Sequence, residues 1–367
     1  MALLTEGQNI RDTYEVERFL GEGAFAEVYR VRHRFLGRQA MKVFKSAGMT
    51  LRDIEDMLGE ALLLTRIGHP NIVRVFDANT VETPKGLYGY FTMENVSGGS
   101  LEKYWQSHTN RFVPVAETIN IIKQVLSGLC VAHREDPPII HRDIKPQNIL
   151  VGYERDGLRA RISDFGLAKR VNPLTLLATA AGTISFKPPE SFTDSKGDSC
   201  SADVWAIGTT LYLLLTDHFP YKFPSDLGWG STDLFKEVVI PASERNADVN
   251  PALDDIIART LSVRPADRYP NAMELLKDLE RWKPGQAPKE ASLKQLNVDV
   301  SKAALGKAAP SPNQLAGEQL ARDAVALKKN GSLSEAADLM EEAFNKWPDL
   351  RQKYEHQIRL WRCGVSM

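Results

Sequence analysis

The sequence has few cysteines, no excess of charge of either sign and no long hydrophobic run. Its 367 residues include three cysteines, Cys130, Cys200 and Cys363, which are far apart and odd in number. This pattern indicates neither a disulfide framework nor a zinc knuckle, and it fits a reducing compartment. The formal net charge of -1 excludes a general binder of nucleic acid or of membrane surfaces, because both usually need surplus Lys and Arg.

No apolar run is expected to span a membrane. The most apolar stretch, Thr209 to Leu215, is bounded by Asp203 and Asp217, and the first residues lack the basic leader of a signal peptide. Hydrophobic residues make up 43% and charged residues 25% of the chain, as in soluble globular proteins. We therefore expect a soluble, cytoplasmic protein, and the length predicts two or three folded units.

Hydrophobic periodicity predicts strands first and helices later. Strands are expected on either side of Gly21 and Gly23 within Tyr14 to Val31, and then over 37–44, 72–76 and 87–93, with a helix over 51–67. Further helices are predicted over 115–133, 203–215, 253–261 and 271–282, with a small hairpin at 149–151 and 160–162 and a long loop over 170–190.

The last part of the chain changes in composition. Residues 283–312 are rich in Lys, Ala, Pro and Gln and predict a linker. Two helices follow, over 313–330 and 332–347, separated by Gly331 and ended by Trp347 and Pro348, with room for one more helix.

The stretch HRDIKPQN, His141 to Asn148, combines three groups suited to phosphate transfer. Asp143 can accept a proton from a hydroxyl, Lys145 can neutralise a phosphoryl group, and Asn148 can offer an oxygen to Mg²⁺. Taken alone, such residues more often belong to an ordinary charged loop, because polar loop residues are mostly solvated. The same holds for Gly21 and Gly23, which suit either a phosphate-binding loop or a plain hairpin turn.

The order of the motifs over Tyr14 to about Trp282 resembles the eukaryotic-type, or Hanks-type, serine/threonine protein kinases. The motifs are GEGAFAEV, QAMK, HRDIKPQN, SDFGL and FKPPE. The resemblance implies an α+β, bilobal kinase fold with a small β-rich N-lobe and a larger helical C-lobe, followed here by a small all-α unit. The implied boundaries are an N-terminal extension over 1–13, the kinase domain over 14–282 (lobes 14–94 and 97–282), the linker over 283–312 and the helical unit over 313–367.

The resemblance also implies roles for individual residues. Asp143 is the expected catalytic base, with Lys145 beside the transferring phosphoryl group, and Asn148 and Asp164 are the expected ligands of Mg²⁺ (or Mn²⁺). Lys42 is expected to hold the ATP phosphates and to pair with Glu60. The remaining implied ATP contacts come from the glycine-rich loop, the adenine pocket and the hinge: Leu20, Gly21, Glu22, Gly23, Ala24, Val28, Ala40, Met93, Glu94, Val96 and Leu150.

Regulation through the activation loop is a further implication of the resemblance. Arg142 matches an arginine that in the family commonly receives a phosphate, for which Thr179 is the first candidate and Thr175 the second, while Thr183 is expected to position the substrate hydroxyl. The chain departs from the family pattern at Ala26, where the third glycine of the loop is expected, and at Pro188 or Pro189 in FKPPE.

The C-terminal helices are similar to a tetratricopeptide repeat in their small residues and proline, namely Ala324, Gly331, Ala336, Ala343 and Pro348. One hairpin cannot form a stable stack, so it is expected to pack on the kinase lobe or on a partner protein. A generic amphipathic hairpin fits the pattern equally well. The alternative to an active enzyme acting on protein substrates is a pseudokinase-type scaffold that binds nucleotide and works through partner binding by this tail.

Overall fold

The chain is described from a computed structural model that covers residues 2–108, 112–165, 184–192, 198–221, 233–285 and 311–365, without the side chains of Met57, Glu60, Ala61, Asp233 and Leu234. The expected linker over 283–312 lies almost wholly outside these ranges. So do Thr175, Thr179 and Thr183 and most of the expected activation loop.

The N-terminal part is a six-stranded sheet with the order β1-β2-β3-β4-β6-β5, and all its pairs are antiparallel. A single helix, α1 (Leu51–Ile67), packs beside β5 and is capped by Thr50, whose side chain accepts a hydrogen bond from Asp53 N–H. The strands are β1 (Asn9–Ile10), β2 (Tyr14–Glu22), β3 (Ala26–His33), β4 (Gly37–Ala47), β5 (Val75–Thr83) and β6 (Gly86–Glu94).

Two details of this sheet differ from the sequence-based expectation. The strand expected over 72–76 is wrong, because β5 runs from Val75 to Thr83 and Ile72 makes only an isolated parallel bridge to Ile162. The apolar residues before Val75 are buried by packing between the lobes, whereas the polar second half of β5 lies half-exposed on the edge of the sheet. In addition, β1 and the buried Leu4 and Ile10 attach the N-terminal extension to the sheet.

The C-terminal lobe surrounds two apolar helices, α3 (Val115–His133) and α4 (Cys200–Thr216). By length and composition alone α3 could cross a membrane, which makes the expectation of no such run wrong. Its apolar residues are instead buried in the core of this lobe, between β8 and the helices α4 and α6. The other elements are α2 (Leu101–Gln106), the hairpin β7 (Ile149–Glu154) and β8 (Gly157–Ile162), α5 (Pro251–Thr260) and α6 (Ala272–Arg281).

The tail forms three helices, α7 (Pro312–Lys329), α8 (Leu333–Lys346) and α9 (Leu350–Arg362). Ala324, Ala336 and Ala343 are fully buried, so α7 and α8 approach closely as an antiparallel pair. Gly331 joins them with a φ of +85°, which glycine adopts without strain. The two predicted helices are thus present, and α9 is the additional one.

Helix α8 packs on both lobes through its acidic face. Asp338 accepts a hydrogen bond from Ser97 Oγ at 2.8 Å, and Glu341 accepts one from Tyr153 N–H at 3.2 Å. Tyr153 also belongs to the hydrophobic cluster of the tail, beside Phe344 and Trp361. The tail is therefore joined to the C-lobe by a shared core as well as by polar contacts.

Glu341 is almost completely buried, with 1% of its surface exposed. Its Oε1 accepts from Tyr153 N–H and from Arg362 at 2.8 Å, while its Oε2 has no hydrogen-bond partner among the described residues. Burial raises the pKa of Glu341 to about 7, although Arg362 opposes the shift. The protonated carboxyl is favoured because it leaves no uncompensated charge in this site.

The substitution Glu341→Gln should alter how stability depends on pH. The folded protein keeps the Glu341 proton up to about pH 7, whereas the unfolded chain releases it near 4.5, so the wild type loses stability as the pH rises through this window. The amide mimics the protonated acid, and the variant should escape a loss of about 1 to 3 kcal/mol. Urea denaturation at pH 4.5, 6 and 7.5 measures the difference. Parallel profiles for the two proteins would contradict the assignment.

Candidate active site

The predicted catalytic base lies in a loop between α3 and β7, where two side chains contact it. Asn148 Nδ2 donates to both the backbone oxygen and Oδ2 of Asp143, each at 2.8 Å, and Lys145 Nζ lies 2.8 Å from the same Oδ2. Pro146–Asn148 forms one turn of 3₁₀ helix, which brings Asn148 back toward Asp143. One carboxylate oxygen is thus held by two donors, while Oδ1 has no hydrogen-bond partner within the described ranges and can accept a proton.

A buried carboxylate in the first turn of α4 binds the backbone of this loop. Asp203 is 1% exposed and accepts hydrogen bonds from the backbone N–H groups of His141 (2.8 Å) and Arg142 (2.9 Å) and from the His133 ring (3.0 Å). Arg142 has a φ of +70°, an uncommon conformation for a residue with a side chain. The hydrogen bonds to Asp203 hold the backbone in this strained turn immediately before Asp143.

His141 connects this loop to the segment that holds Asp164, the second expected metal ligand. Its Nδ1 accepts from Asp143 N–H at 3.2 Å, so its Nε2 carries the proton and donates to Ser163 O at 2.8 Å. The ring packs against Phe165 with centroids 4.6 Å apart. Ser163 also donates, through its N–H and its hydroxyl, to the backbone oxygen of Asn148 at 2.9 and 3.0 Å. The segment that holds Asp164 is therefore positioned by the catalytic loop itself.

Asp164 and Lys42 meet across the cleft. Lys42 Nζ lies 2.7 Å from Asp164 Oδ1, and both side chains are partly shielded from solvent. Lys42 lies in β4, which is paired on both sides, so this lysine projects from the interior of the sheet and not from its edge. The predicted partner Glu60 lies in α1, but its side chain is outside the described residues, and that pairing stays a prediction.

The donor set fits a hard divalent cation. Because the Nδ2 of Asn148 donates to Asp143, the side-chain oxygen of Asn148 remains for a metal. The neighbouring segment supplies the carboxylate of Asp164, whose φ is +64°. No group of three or more His, Cys, Asp or Glu suited to a metal occurs in the described part of the chain. Mg²⁺ accepts such a sparse protein set, since phosphate oxygens and water complete its coordination.

The predicted adenine pocket is assembled between the lobes. Ala40 and Met93 are buried, and Val28 and Leu150 pack against the same cluster. Met93 also lines a small cavity that reaches Asp164 and Phe165. Of the hinge residues, Glu94 is the last residue of β6 and Val96 follows the strand. The side chain of Glu94 pairs with Arg161 at 3.1 Å.

The glycine-rich loop lies at the turn between β2 and β3. Gly23 N–H donates to Ala26 O at 2.8 Å, and Gly21 has open space where a side chain would lie. The loop therefore leaves the backbone accessible to a bulky anion. Of the other expected contacts, Leu20 and Glu22 lie in β2 at this turn, Ala24 lies within the turn, and the side chain of Glu22 pairs with Lys45.

Arg268 and Glu190 form a two-pronged ion pair. Both guanidinium nitrogens of the fork lie 2.7 Å from the two oxygens of Glu190, and Arg268 also donates to the backbone oxygens of Ser262 and Val263. The guanidinium stacks over the Trp205 ring at 4.8 Å. The segment that begins at Ile184 is thereby fastened to the lobe.

Sequence reasoning missed the roles of His133, Ser163 and Lys187. Lys187 Nζ donates to Arg142 O at 2.7 Å and so supports the catalytic loop from the FKPPE segment. His133 pairs with Asp203, a contact that was open to inference, because a carboxylate in the first turn of an otherwise apolar helix needs a partner. Arg142, expected to receive a phosphate, contacts Asp198 at 2.7 Å.

Comparison with known proteins assigns the family. The protein kinase domain model matches residues 14–279. The chain belongs to the protein kinase family. Its kinase domain is similar to the serine/threonine-protein kinase PknB of Mycolicibacterium smegmatis, with 33% identity over 295 residues that cover 78% of this chain and 45% of that protein.

Two further proteins show the same similarity. Serine/threonine-protein kinase pkn3 of Myxococcus xanthus is 33% identical over 306 residues, which cover 78% of this chain and 54% of that protein. The crystal structure of a mutant of the Mycobacterium tuberculosis PknI kinase domain aligns with a TM-score of 0.55 and 26% identity, covering 77% of this chain and 99% of that one. The kinase thus spans about half the length of the curated relatives it matches.

The pair of His133 and Asp203 should make the stability of the kinase depend on alkaline pH. Burial by itself lowers the pKa of His133, but the hydrogen bonds and charges of Asp203 and Cys200 raise it to about 9. The stabilisation is present below the unfolded pKa of 6.5 and is lost as the pH rises through about 9.

The substitution His133→Gln should flatten this dependence, because the amide can donate to Asp203 but does not titrate. From pH 6 to 9.5 the wild type should lose about 1 to 3 kcal/mol more unfolding free energy than the variant, measured by urea denaturation. His356→Gln, on the exposed side of α9, is the matched control and should behave as the wild type. Equal losses in all three proteins would contradict the charged pair.

Proposed function

We propose that this chain transfers the γ-phosphate of ATP to Ser and Thr hydroxyls of protein substrates. The observation that carries the proposal is the Asp143 carboxylate, whose Oδ2 is held by Asn148 and Lys145 while Oδ1 remains for a substrate hydroxyl. The similarity to serine/threonine-protein kinases supports the same reaction.

The side chains divide the work of this reaction. Asp143 orients the attacking hydroxyl and takes its proton, and Lys145 compensates negative charge beside it. Lys42 binds the α- and β-phosphates, with Glu60 as the proposed partner of its ammonium. Asn148 and Asp164 would hold Mg²⁺ (or Mn²⁺), which neutralises charge on the phosphates when bound. The short distance between Lys42 and Asp164 supports this placement of both groups.

Separate groups of residues are proposed to bind the phosphates and the adenine ring of the nucleotide. The backbone of Gly21 to Ala24 would cover the phosphates, with Leu20 and Val28 above the ring and Leu150 below it. Ala40 and Met93 would bound the adenine pocket, and the hinge would offer the backbone oxygen of Glu94 and the N–H of Val96. The shared apolar cluster of Val28, Ala40, Met93 and Leu150 supports this arrangement.

We further propose the domain division expected from the sequence, 1–13, 14–282, 283–312 and 313–367. The helical unit is proposed to be tetratricopeptide-like, which its buried alanines and the turn at Gly331 support. Its outer helix α7 exposes Leu315 and is the proposed face for a partner protein. A cytoplasmic location is also proposed, supported by three cysteines that are free and distant from one another.

The substitution Asp143→Asn tests the reaction. Phosphate incorporation from radiolabelled ATP into a generic protein substrate should fall by at least about 10²-fold, since a positioned base contributes 10² to 10⁴-fold. Affinity for ATP should stay within about twofold, because Asp143 does not bind the nucleotide. Asp267→Asn, at an exposed carboxylate remote from the cleft, is the control. Equal incorporation by Asp143→Asn and wild type would refute the base, and absence of transfer by a wild type that binds ATP would favour the scaffold alternative.

Phosphorylation of the activation loop is proposed at Thr179 first and Thr175 second, with Arg142 as the receiving cation and Thr183 positioning the substrate. The pairing of Arg142 with Asp198 supports a site at which a phosphate can compete for the guanidinium. The double variant Thr175→Ala, Thr179→Ala should lose about tenfold or more in activity after preincubation with ATP. Mass spectrometry that finds the peptide over 170–190 unmodified in fully active wild type would contradict this mode of regulation.

A further inference from the structure

The strands that carry the glycine-rich loop contain an unusual arrangement of charge. Arg18 of β2 and Arg30 of β3 are cross-strand partners, and like charges directly opposite each other destabilise an antiparallel pair. The register shifts between Val16 and Arg18, so that Glu17 and Arg18 together oppose Arg30. This bulge allows two consecutive side chains of β2 to act on one arginine.

Two carboxylates neutralise this region, and one of them comes from the tail. Glu17 contacts Arg30 (2.6 Å), Arg32 (2.9 Å) and Arg38 (3.0 Å). Glu342 of α8 lies between the opposed pair, with Oε2 2.9 Å from Arg18 and Oε1 in contact with Arg30. Without Glu342, a single carboxylate would face four arginines.

The contact of Glu342 is shielded from water. Its side chain is 7% exposed and that of Arg30 is 12% exposed, so the attraction is screened much less than at an open surface. Although burial raises the pKa of Glu342, the charges of Arg30 and Arg18 oppose that rise. Removal of the Glu342 carboxylate would therefore leave the buried charge of Arg30 without this compensating anion.

The same face of α8 also holds the hinge and the C-lobe. Asp338 and Asn345 contact Ser97, at 2.8 and 3.4 Å, and Glu341 accepts from Tyr153 N–H of β7. A Cβ on Gly98 would lie 3.1 Å from Glu341 Oε2 and 2.2 Å from Val151 O, so a glycine is needed where the hinge passes between α8 and β7. Residues 338, 341, 342 and 345 follow helical spacing and reach both lobes from one side.

We infer that α8 is a strap across the back of the hinge and that Glu342 is a positioning residue for the nucleotide. It fixes the β2–β3 hairpin, and with it the glycine-rich loop, relative to the C-lobe. A loop that is already positioned loses less conformational entropy when it closes over the phosphates. The inference rests on the proposed kinase function for its kinetic consequence and on the contacts of Glu342 for its structural one.

The test compares Glu342→Gln with wild type in the full chain. The variant should bind a non-hydrolysable ATP analogue with Mg²⁺ about five- to tenfold more weakly in calorimetry, equivalent to about 1 kcal/mol. The KM for ATP should rise by the same factor while kcat stays within about twofold, because the groups at the reacting phosphate are untouched. Asp323→Asn, an exposed carboxylate on α7 of the same unit, should match wild type in both measurements.

Arg18→Gln provides a second route if Glu342→Gln folds poorly. Arg18→Gln should weaken nucleotide binding less than Glu342→Gln does, because Arg30 keeps its contact with Glu342. The double variant should be no weaker than Glu342→Gln alone, because the contacts of Glu342 with both arginines are already lost in that single variant. Unchanged nucleotide affinity in a folded Glu342→Gln protein, or strictly additive effects with Arg18→Gln, would overturn the strap. Affinity is measured without phosphate transfer, so a wild type that binds nucleotide but transfers no phosphate would refute the proposed function and leave this inference to be judged by binding alone.

Discussion

The catalytic loop depends on one buried carboxylate. Asp203 accepts two backbone N–H groups from successive residues of the loop and a ring N–H from His133, at distances of 2.8 to 3.0 Å. Burial alone would raise the pKa of Asp203, but the hydrogen bond and charge of His133 and the contacts of His141 lower it, so that the carboxylate stays charged. The buried charge is tolerated because three donors, the N–H groups of His141 and Arg142 and the ring of His133, are directed at it.

A series of hydrogen bonds leads from Asp203 to the other residues of the site. The strained turn at Arg142 aims Asp143 into the cleft, and His141 passes the arrangement to Ser163 through its second ring nitrogen. Asp164 follows Ser163 directly and meets Lys42 from the other lobe. The proposed base, metal ligands and phosphate-binding lysine are therefore held by one chain of hydrogen bonds rather than by independent supports.

Much of this could be predicted from local patterns. The helices over 51–67 and 115–133 begin and end where periodicity, capping and proline place them, and the motif order identified the family before any coordinates. The half-exposed edge strand β5 was misplaced because its polar second half has no clear alternation. The expectation that no apolar run is long enough to span a membrane was wrong for α3. A helix buried in a protein core and a helix that crosses a bilayer have similar compositions, so composition alone does not distinguish them.

The contacts of the tail could not be predicted in this way. Arg30 and Glu342 are separated by 312 residues, and each reads from the sequence as an ordinary solvated charge. Only the fold shows that a bulge in β2 sets two arginines against one another and that α8 supplies the missing anion. Long-range pairs of this type produce no periodic pattern in the sequence. The sequence therefore predicts the helices but not the residues through which they pack on the lobes.

The charge balance beside Arg18 bears on how much of the chain the folded kinase domain needs. The family match stops at residue 279, yet the charge balance of the second and third strands is completed beyond residue 340. A shortened protein cut at the family boundary would retain every motif of the active site while exposing the shared core around Tyr153 and leaving four arginines with one acid. The smallest piece that carries the motifs and the smallest piece that is electrostatically complete are thus different lengths of the same chain.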